Sequence, residues 1–241
     1  MARPALYVVG LLAAGVVVAM IVSRTHDQES VAFDVTRLTP APRSERVGEH
    51  FLLEDPATLT ESDAVRVYES VRAVLRDNYA LSGLPAAAAY QDWPRFNRAP
   101  YRSATHGERF VNNYTNRLAR DYGSGQPMPV GAVLAKDAVT VKHDGQFYPG
   151  PLALMEKMPP GFDPDGHDWR YTLVMPDGTV LGTTRGANDE QVAFCRNCHA
   201  TAGADHDFLF FVPEAFRRPE LAVPASGQRP EPASSVNREG G

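Results

Sequence analysis

The chain holds only two cysteines, and they fall in one short stretch, Phe194-Cys195-Arg196-Asn197-Cys198-His199-Ala200. Two thiols separated by two residues, with a histidine directly after the second, form the attachment signature of c-type haem. On a helix, positions i, i+3 and i+4 share one face. Cys195 and Cys198 can therefore each bond a vinyl arm of one porphyrin, while His199 meets the iron as proximal ligand. This reading assigns one covalent haem c per chain, with Cys195, Cys198 and His199 as cofactor-binding residues and His199 as the metal ligand. Upstream, Ala187-Asn188-Asp189-Glu190-Gln191 offers a side-chain N-cap and acidic residues for a first turn. That predicts a short helix from about Asp189 through the motif.

Other uses of such a pair fit less well. A thioredoxin-like redox pair sits early in a βαβ unit, whereas this pair is near the C-terminal end with no βαβ pattern around it. Structural zinc needs two more ligands, and the separation of His199 from His206 is wider than the usual spacing.

The segment Ala5 to Val22 carries no charge. As a helix it would be roughly 27 Å long, close to the thickness of a bilayer's hydrocarbon core. It is read as an uncleaved anchor within residues 1–24, with a cleaved signal peptide as the competing reading. Because c-type haem is attached on the outer side of the bacterial inner membrane, the body is expected in the periplasm, anchored by one pass or soluble after cleavage. Residues 25–58 read as a polar tether with one short strand, Val31 to Val35. Residues 59–218 form the haem domain, with its core at about 90–216. Residues 219–241 are rich in Pro, Ser, Gly and Glu and read as a disordered tail. A formal net charge of −5, with no basic cluster, argues against a nucleic-acid partner.

Within the body, Thr60 to Asp63 reads as a capped helix start. Val65, Tyr68, Val71 and Leu75 follow at helical spacing, with the end before Gly83. Ala86 to Ala89 adds a turn, and Tyr90 to Tyr101 is a loop rich in aromatics and arginines. Arg95 or Arg98 in that loop would suit porphyrin propionates. A strand is expected from about Arg109 to Thr115, with Asn116 capping a short helix from Arg117 to Tyr122. Met128 to Val141 is the best strand candidate. Alternation puts Ala132, Leu134, Lys136 and Ala138 on one face and Val133, Ala135, Asp137 and Val139 on the other. One of the Lys136-Asp137 pair must then meet something other than hydrocarbon, because an unpaired buried charge is costly. Pro151 to Met158 reads as another strand, and Asp168 to Met175 with Thr179 to Thr184 as a hairpin. Asp207 to Val212 reads as a final strand or extended core segment. The fold class is α+β: mainly antiparallel β sheet with a few short helices, haem on a C-terminal helix, and one N-terminal transmembrane helix.

Four features in this order resemble the cytochrome P-460 family. They are His106-Gly107 to Asn116, Pro129-Val130-Gly131 leading to Lys136-Asp137, Asp168 to Tyr171, and Cys195 to His199 followed by Asp207 to Phe210. The resemblance covers roughly Tyr90 to Phe216. It implies a mostly β fold, often dimeric, in which a strand face covers a five-coordinate haem and leaves the distal side open. Characterised members oxidise hydroxylamine and bond a lysine to the porphyrin, and Lys136 sits where that lysine would be. The related cytochromes c-prime-beta lack the bond and bind nitric oxide.

Two main functions are therefore weighed. The first is a haem protein that oxidises hydroxylamine or binds nitric oxide at an open iron, passing electrons to a partner such as a soluble cytochrome. Oxidising hydroxylamine requires a distal base, for which Asp137, Glu156 and His106 are the candidates beside Lys136. The second is plain electron transfer, with His106, Met128, Met155 or Met158 as sixth ligand. A gas-sensing module without turnover is a third possibility.

Overall fold

The structure, a computed structural model, describes residues 52–53, 55–123 and 126–218. The expected anchor, the strand at Val31 to Val35 and the tail beyond 218 lie outside those residues. Among the described residues, no helix is long and apolar enough to cross a membrane.

The chain enters through α1 (Glu61–Ala80), whose first turn is capped by the Thr60 side chain accepting from the Asp63 amide. Its buried stripe is Ala64, Val67, Tyr68, Val71, Leu75 and Tyr79, which is helical spacing. Val71 and Leu75 are completely buried, worth about 1.5–3 kcal/mol each. A five-residue α2 (Pro85–Ala89) follows, with proline at its start.

Seven strands among the described residues then form one antiparallel sheet: β1 (Tyr101–Ser103), β2 (Arg109–Thr115), β3 (Val133–Val141), β4 (Phe147–Pro149), β5 (Leu152–Lys157), β6 (Trp169–Val174) and β7 (Val180–Thr183). Their order is β1-β2-β3-β5-β6-β7, with β4 also paired to β3. β4 and β5 therefore share one neighbour, and the chain kinks between them at Gly150, whose amide donates to Ala138 O at 2.8 Å. A Cβ on Gly150 would lie 2.9 Å from the Ala138 Cβ, so no larger residue fits that crossing. The haem-motif helix α3 (Ala193–Ala200) comes last. The α+β class is as expected, and β2 has the expected bounds, although β3 begins at Val133 rather than Met128.

Three local expectations are corrected. Asn188 does not cap a helix: its backbone is left-handed and its Nδ2 donates to Leu181 O at 3.2 Å. A 3-10 turn (Asp189–Gln191) precedes α3 instead, because the loop is tied to β7 through Thr183 N and Ala187 O. Asn116 caps only a 3-10 turn, Arg117–Ala119. Asp207 to Val212 is not a strand, since Asp207 and Phe208 take φ of 52° and 57°.

The pleat of β3 divides its two charged neighbours as expected. Asp137 faces α1 and is fully buried. Its Oδ2 accepts from Tyr68 at 2.7 Å and Tyr90 at 3.0 Å, and its Oδ1 from Asn112 at 3.1 Å. Tyr114 in turn lies 2.5 Å from the Tyr68 oxygen. Burial pushes the Asp137 carboxyl up to about 6, against the opposing hydrogen bonds from Tyr68, Asn112 and Tyr90. A group whose value is raised on folding stabilises fully below its unfolded value and loses that contribution as pH rises. The stability of the wild type relative to Asp137→Asn should therefore fall between pH 3.8 and about 6, read as the difference in urea midpoints at each pH. A difference that is flat or rising across that window removes this account.

Candidate functional site

The face of the sheet opposite α1 forms the floor of a cleft. Register fixes its rows. Thr115, Leu134, Met155 and Tyr171 are successive cross-strand partners, and Asn113, Lys136, Ala153 and Leu173 form the next row. Phe194, Cys195, His199, Leu209 and Phe210 close it from the other side. Among the described residues the lining is mostly apolar and contains no aspartate or glutamate.

On the α3 side, His199 Nδ1 donates to the carbonyl of Phe208 at 2.9 Å. A carbonyl can only accept, so the proton is on Nδ1 and Nε2 carries the lone pair a metal would use. The imidazole is held between Tyr171 and Phe210, with ring centroids 5.4 Å away in each case. Cys195 faces the cleft, and burial pushes its thiol up to about 12, so it is a neutral, apolar group at that wall.

The Phe208 carbonyl is aimed by its neighbour. Asp207 is buried and accepts from His167 Nδ1 at 2.7 Å, from the Met128 amide at 2.7 Å and from the Lys157 ammonium. Its own carbonyl accepts from Trp169 Nε1 at 2.8 Å, with Lys157 Nζ 5.0 Å from the centre of that indole. Four groups thus hold Asp207 and Phe208 in a left-handed turn that residues with side chains enter at a cost. A second buried carboxylate fixes α3: Asp163 accepts from Arg185 at 3.0 Å and from Arg196, inside the cysteine motif, at 3.4 Å. Gly166 packs against it where a Cβ would lie 2.3 Å from Asp163 Oδ2.

On the sheet side, Lys136 reaches into the cleft and its Nζ lies 3.2 Å from His106 Nε2. Burial pulls the amine down to about 8. Of the residues weighed from sequence, Cys195, His199, Lys136, His106 and Met155 are brought to this cleft. Asp137 is not: it points to the opposite face, as alternation requires. Glu156 is also outside the lining and pairs with Arg170 on the sheet. Arg95 lies beyond the cleft too. It bridges Tyr114 on the α1 side, and its Nη2 donates to Arg98 O at 3.1 Å. Arg98 pairs with Glu61. Neither arginine lines the cleft, because the loop that carries them packs against α1 and β2.

Asp207, His167, Lys157, Asp163, Arg196 and Tyr171 escaped the sequence reading. Asp163 follows Pro159-Pro160-Gly161-Phe162 and reads as an ordinary turn acid, and Arg196 as a motif spacer. A usable signal was the aspartate directly before the apolar run Phe208 to Val212, since an acid there needs a partner.

The site can be tested for a porphyrin without reference to any bound group. Its apolar walls and a motif histidine with a defined tautomer both suit one. So do two buried hydroxyls in the lining without a hydrogen-bond partner, Tyr171 Oη and Thr115 Oγ1. Among the described residues no group of three or more His, Cys, Asp or Glu could hold a metal ion, so a metal here would depend on His199 and a macrocycle.

Residues 87–211 match the family model described as Cytochrome P460. No curated protein matches the chain.

Replacing Asp207 by alanine would strand the Lys157 ammonium, whose side chain is 12% exposed, and should cost about 3–5 kcal/mol in urea unfolding. Asp207→Asn keeps an acceptor for the Met128 amide and should lose less. Equal and negligible losses in both variants would show that Asp207 does not brace the turn.

Proposed function

The chain belongs to the cytochrome P460 family, and from that premise we propose a covalent haem c protein that oxidises hydroxylamine or binds nitric oxide at an open iron. One haem per chain is attached through Cys195 and Cys198, and His199 is the proximal ligand. Bound there, the haem would supply one-electron redox chemistry. The observation that carries the reading is the cleft itself, with a carbonyl-held His199 on one wall and Lys136 on the other. His199 Nδ1–H donating to Phe208 O makes the imidazole a stronger ligand. Lys136 stands beside Ala153 and near Ala138, small residues that keep room around the amine. The family resemblance makes Lys136 the amine to be bonded to the porphyrin.

The domain works in the periplasm, held to the inner membrane by the segment within residues 1–24, and delivers electrons to a soluble cytochrome or similar acceptor. It forms a homodimer, as its resemblance suggests. The competing electron-carrier reading is favoured by one observation: Met155 lines the cleft and could serve as a sixth ligand. Met128 and Met158 do not line it.

Visible spectra separate the two. The reduced, haem-loaded protein should be high-spin and bind carbon monoxide and nitric oxide, with hydroxylamine reducing an artificial acceptor in its presence. A low-spin spectrum indifferent to carbon monoxide would favour Met155 ligation and electron transfer. For Lys136, a haem-peptide digest should contain its segment joined to the Cys195–His199 segment. Recovery of Lys136 at full yield in a free peptide removes the bond.

A further inference from the structure

Among the described residues, consecutive non-glycine residues take a left-handed backbone at two places. They are His167-Asp168, with φ of 56° and 59°, and Asp207-Phe208, with φ of 52° and 57°. Such residues are strained and persist only where their surroundings over-determine them. Here the two turns determine each other. His167 Nδ1 donates to Asp207 Oδ1 at 2.7 Å. The same imidazole stacks on the Phe208 ring, with centroids 5.0 Å apart and planes 27° apart. The Lys157 ammonium ties both turns, donating to His167 O at 2.8 Å and to the Asp207 carboxylate. Behind them, Asp168 is bound twice to Asp163, its amide donating to Asp163 O at 2.8 Å and its carboxylate accepting from Asp163 N at 2.9 Å.

What the paired turns deliver is one carbonyl, Phe208 O, 2.9 Å from His199 Nδ1. An acceptor on Nδ1–H draws that proton outward and raises the basicity of the ring at Nε2. Greater electron donation favours ferric over ferrous iron, since the ferric state carries the extra positive charge. A hydrogen bond to the axial histidine is therefore a lever on reduction potential. His167 acts on both residues of the turn, through the Asp207 carboxylate and through the Phe208 ring.

We propose that His167 and Asp207 are positioning residues for the iron ligand. Clamped together with Lys157, they hold the Phe208 carbonyl against His199, strengthen its bond to iron and lower the reduction potential of the haem. This rests on the reading above that His199 is the proximal ligand, and it is independent of the substrate. No group in the clamp changes its charge, and the proton on His199 Nδ1 stays on that nitrogen. A lowered potential keeps the resting iron ferric, the state able to take electrons from a hydroxylamine-class substrate. A strong proximal bond also resists the weakening that nitric oxide imposes on the ligand opposite it.

The test uses the haem-loaded full chain and two readouts that need no turnover, the reduction midpoint and the iron–histidine stretching frequency of the ferrous protein. His167→Ala removes the ring and its bond, while Asp207 keeps the Lys157 ammonium and the Met128 amide. The clamp is expected to multiply the preference of His199 for ferric iron about tenfold, the lower end of what a ligand's hydrogen-bonding partners contribute. Its loss should then raise the midpoint by about 59 mV, the one-electron equivalent of a tenfold change. The stretching frequency should fall, and a larger share of the nitric oxide adduct should have released His199. His167→Phe keeps a ring over Phe208 without the bond to Asp207, and should move the midpoint the same way by less. Val71→Ala, a core loss in α1 behind the sheet, lowers stability and should leave both readouts at their wild-type values. A His167→Ala protein with wild-type midpoint and stretching frequency overturns the clamp and leaves the haem c reading standing. So does a fall in the midpoint, the direction that added water beside the iron gives, or an equal rise in Val71→Ala. A full chain that emerges from a haem-attaching host at its bare polypeptide mass overturns both.

Discussion

The two-residue repeat of β3 is the constraint on which the site depends. Lys136 and Asp137 are adjacent, so a pleated strand must send one charge to each face of the sheet. Neither face is aqueous. The carboxylate is met by Tyr68 and Tyr90, which arrive from α1 and the turn after α2, and by Asn112 from β2. A slip of one residue in the pairing of β3 with β2 would put the carboxylate into the cleft and the ammonium among the tyrosines. The buried network behind the sheet therefore acts as a register lock for the amine in front of it. The α1 helix bears directly on the site although it contributes no residue to the cleft.

The opposite wall is fixed by different means. It is a short helix and an irregular loop, and neither has a ladder of backbone bonds to hold it. Two buried carboxylates replace the ladder: Asp163 grips α3 through Arg196, and Asp207 grips the turn whose carbonyl holds His199. Burying charge in this way is costly unless the group is paired and hydrogen-bonded. Asp207 meets that condition with three donors to its side chain. The left-handed turn at Asp207 and Phe208 persists because those bonds determine it, and it delivers a carbonyl that a regular strand would have pointed elsewhere.

Which parts of this were legible beforehand follows from the range of the interactions. The cysteine-histidine motif and the strand alternation are local patterns, so Cys195, His199 and the opposite faces of Lys136 and Asp137 could be read directly, while only the family resemblance put Lys136 rather than Asp137 toward the cleft. The hairpin around Gly178 and the Thr60 cap are likewise local chemistry. Of the two readings of Asp207 to Val212 the strand fails and the core segment holds at Leu209 and Val212, because the apolar run matches a strand while the bonds that bend its start come from Met128, Lys157 and His167, far away in sequence. Arg95 was misplaced for a similar reason: an arginine in an aromatic loop carries no local sign of which side of a sheet it will reach. His106 was named only as one of several candidate bases or sixth ligands, since nothing in its neighbours announces Lys136 across the sheet.

The two walls also differ in how firmly they hold a proton. On the α3 side the position of hydrogen is determined: a carbonyl accepts from His199 Nδ1, and the carbonyl itself is fixed. On the sheet side, Lys136 and His106 can each hold the proton, and hydroxyls on the far side of the ring can act as donor or acceptor. Within an apolar lining such a pair is sensitive to small changes of field, because low polarity strengthens each interaction. A histidine whose tautomer is fixed thus faces an amine–imidazole pair whose proton is not fixed. Among the described residues no aspartate or glutamate lines the cleft, so no carboxylate there pairs with the Lys136 amine.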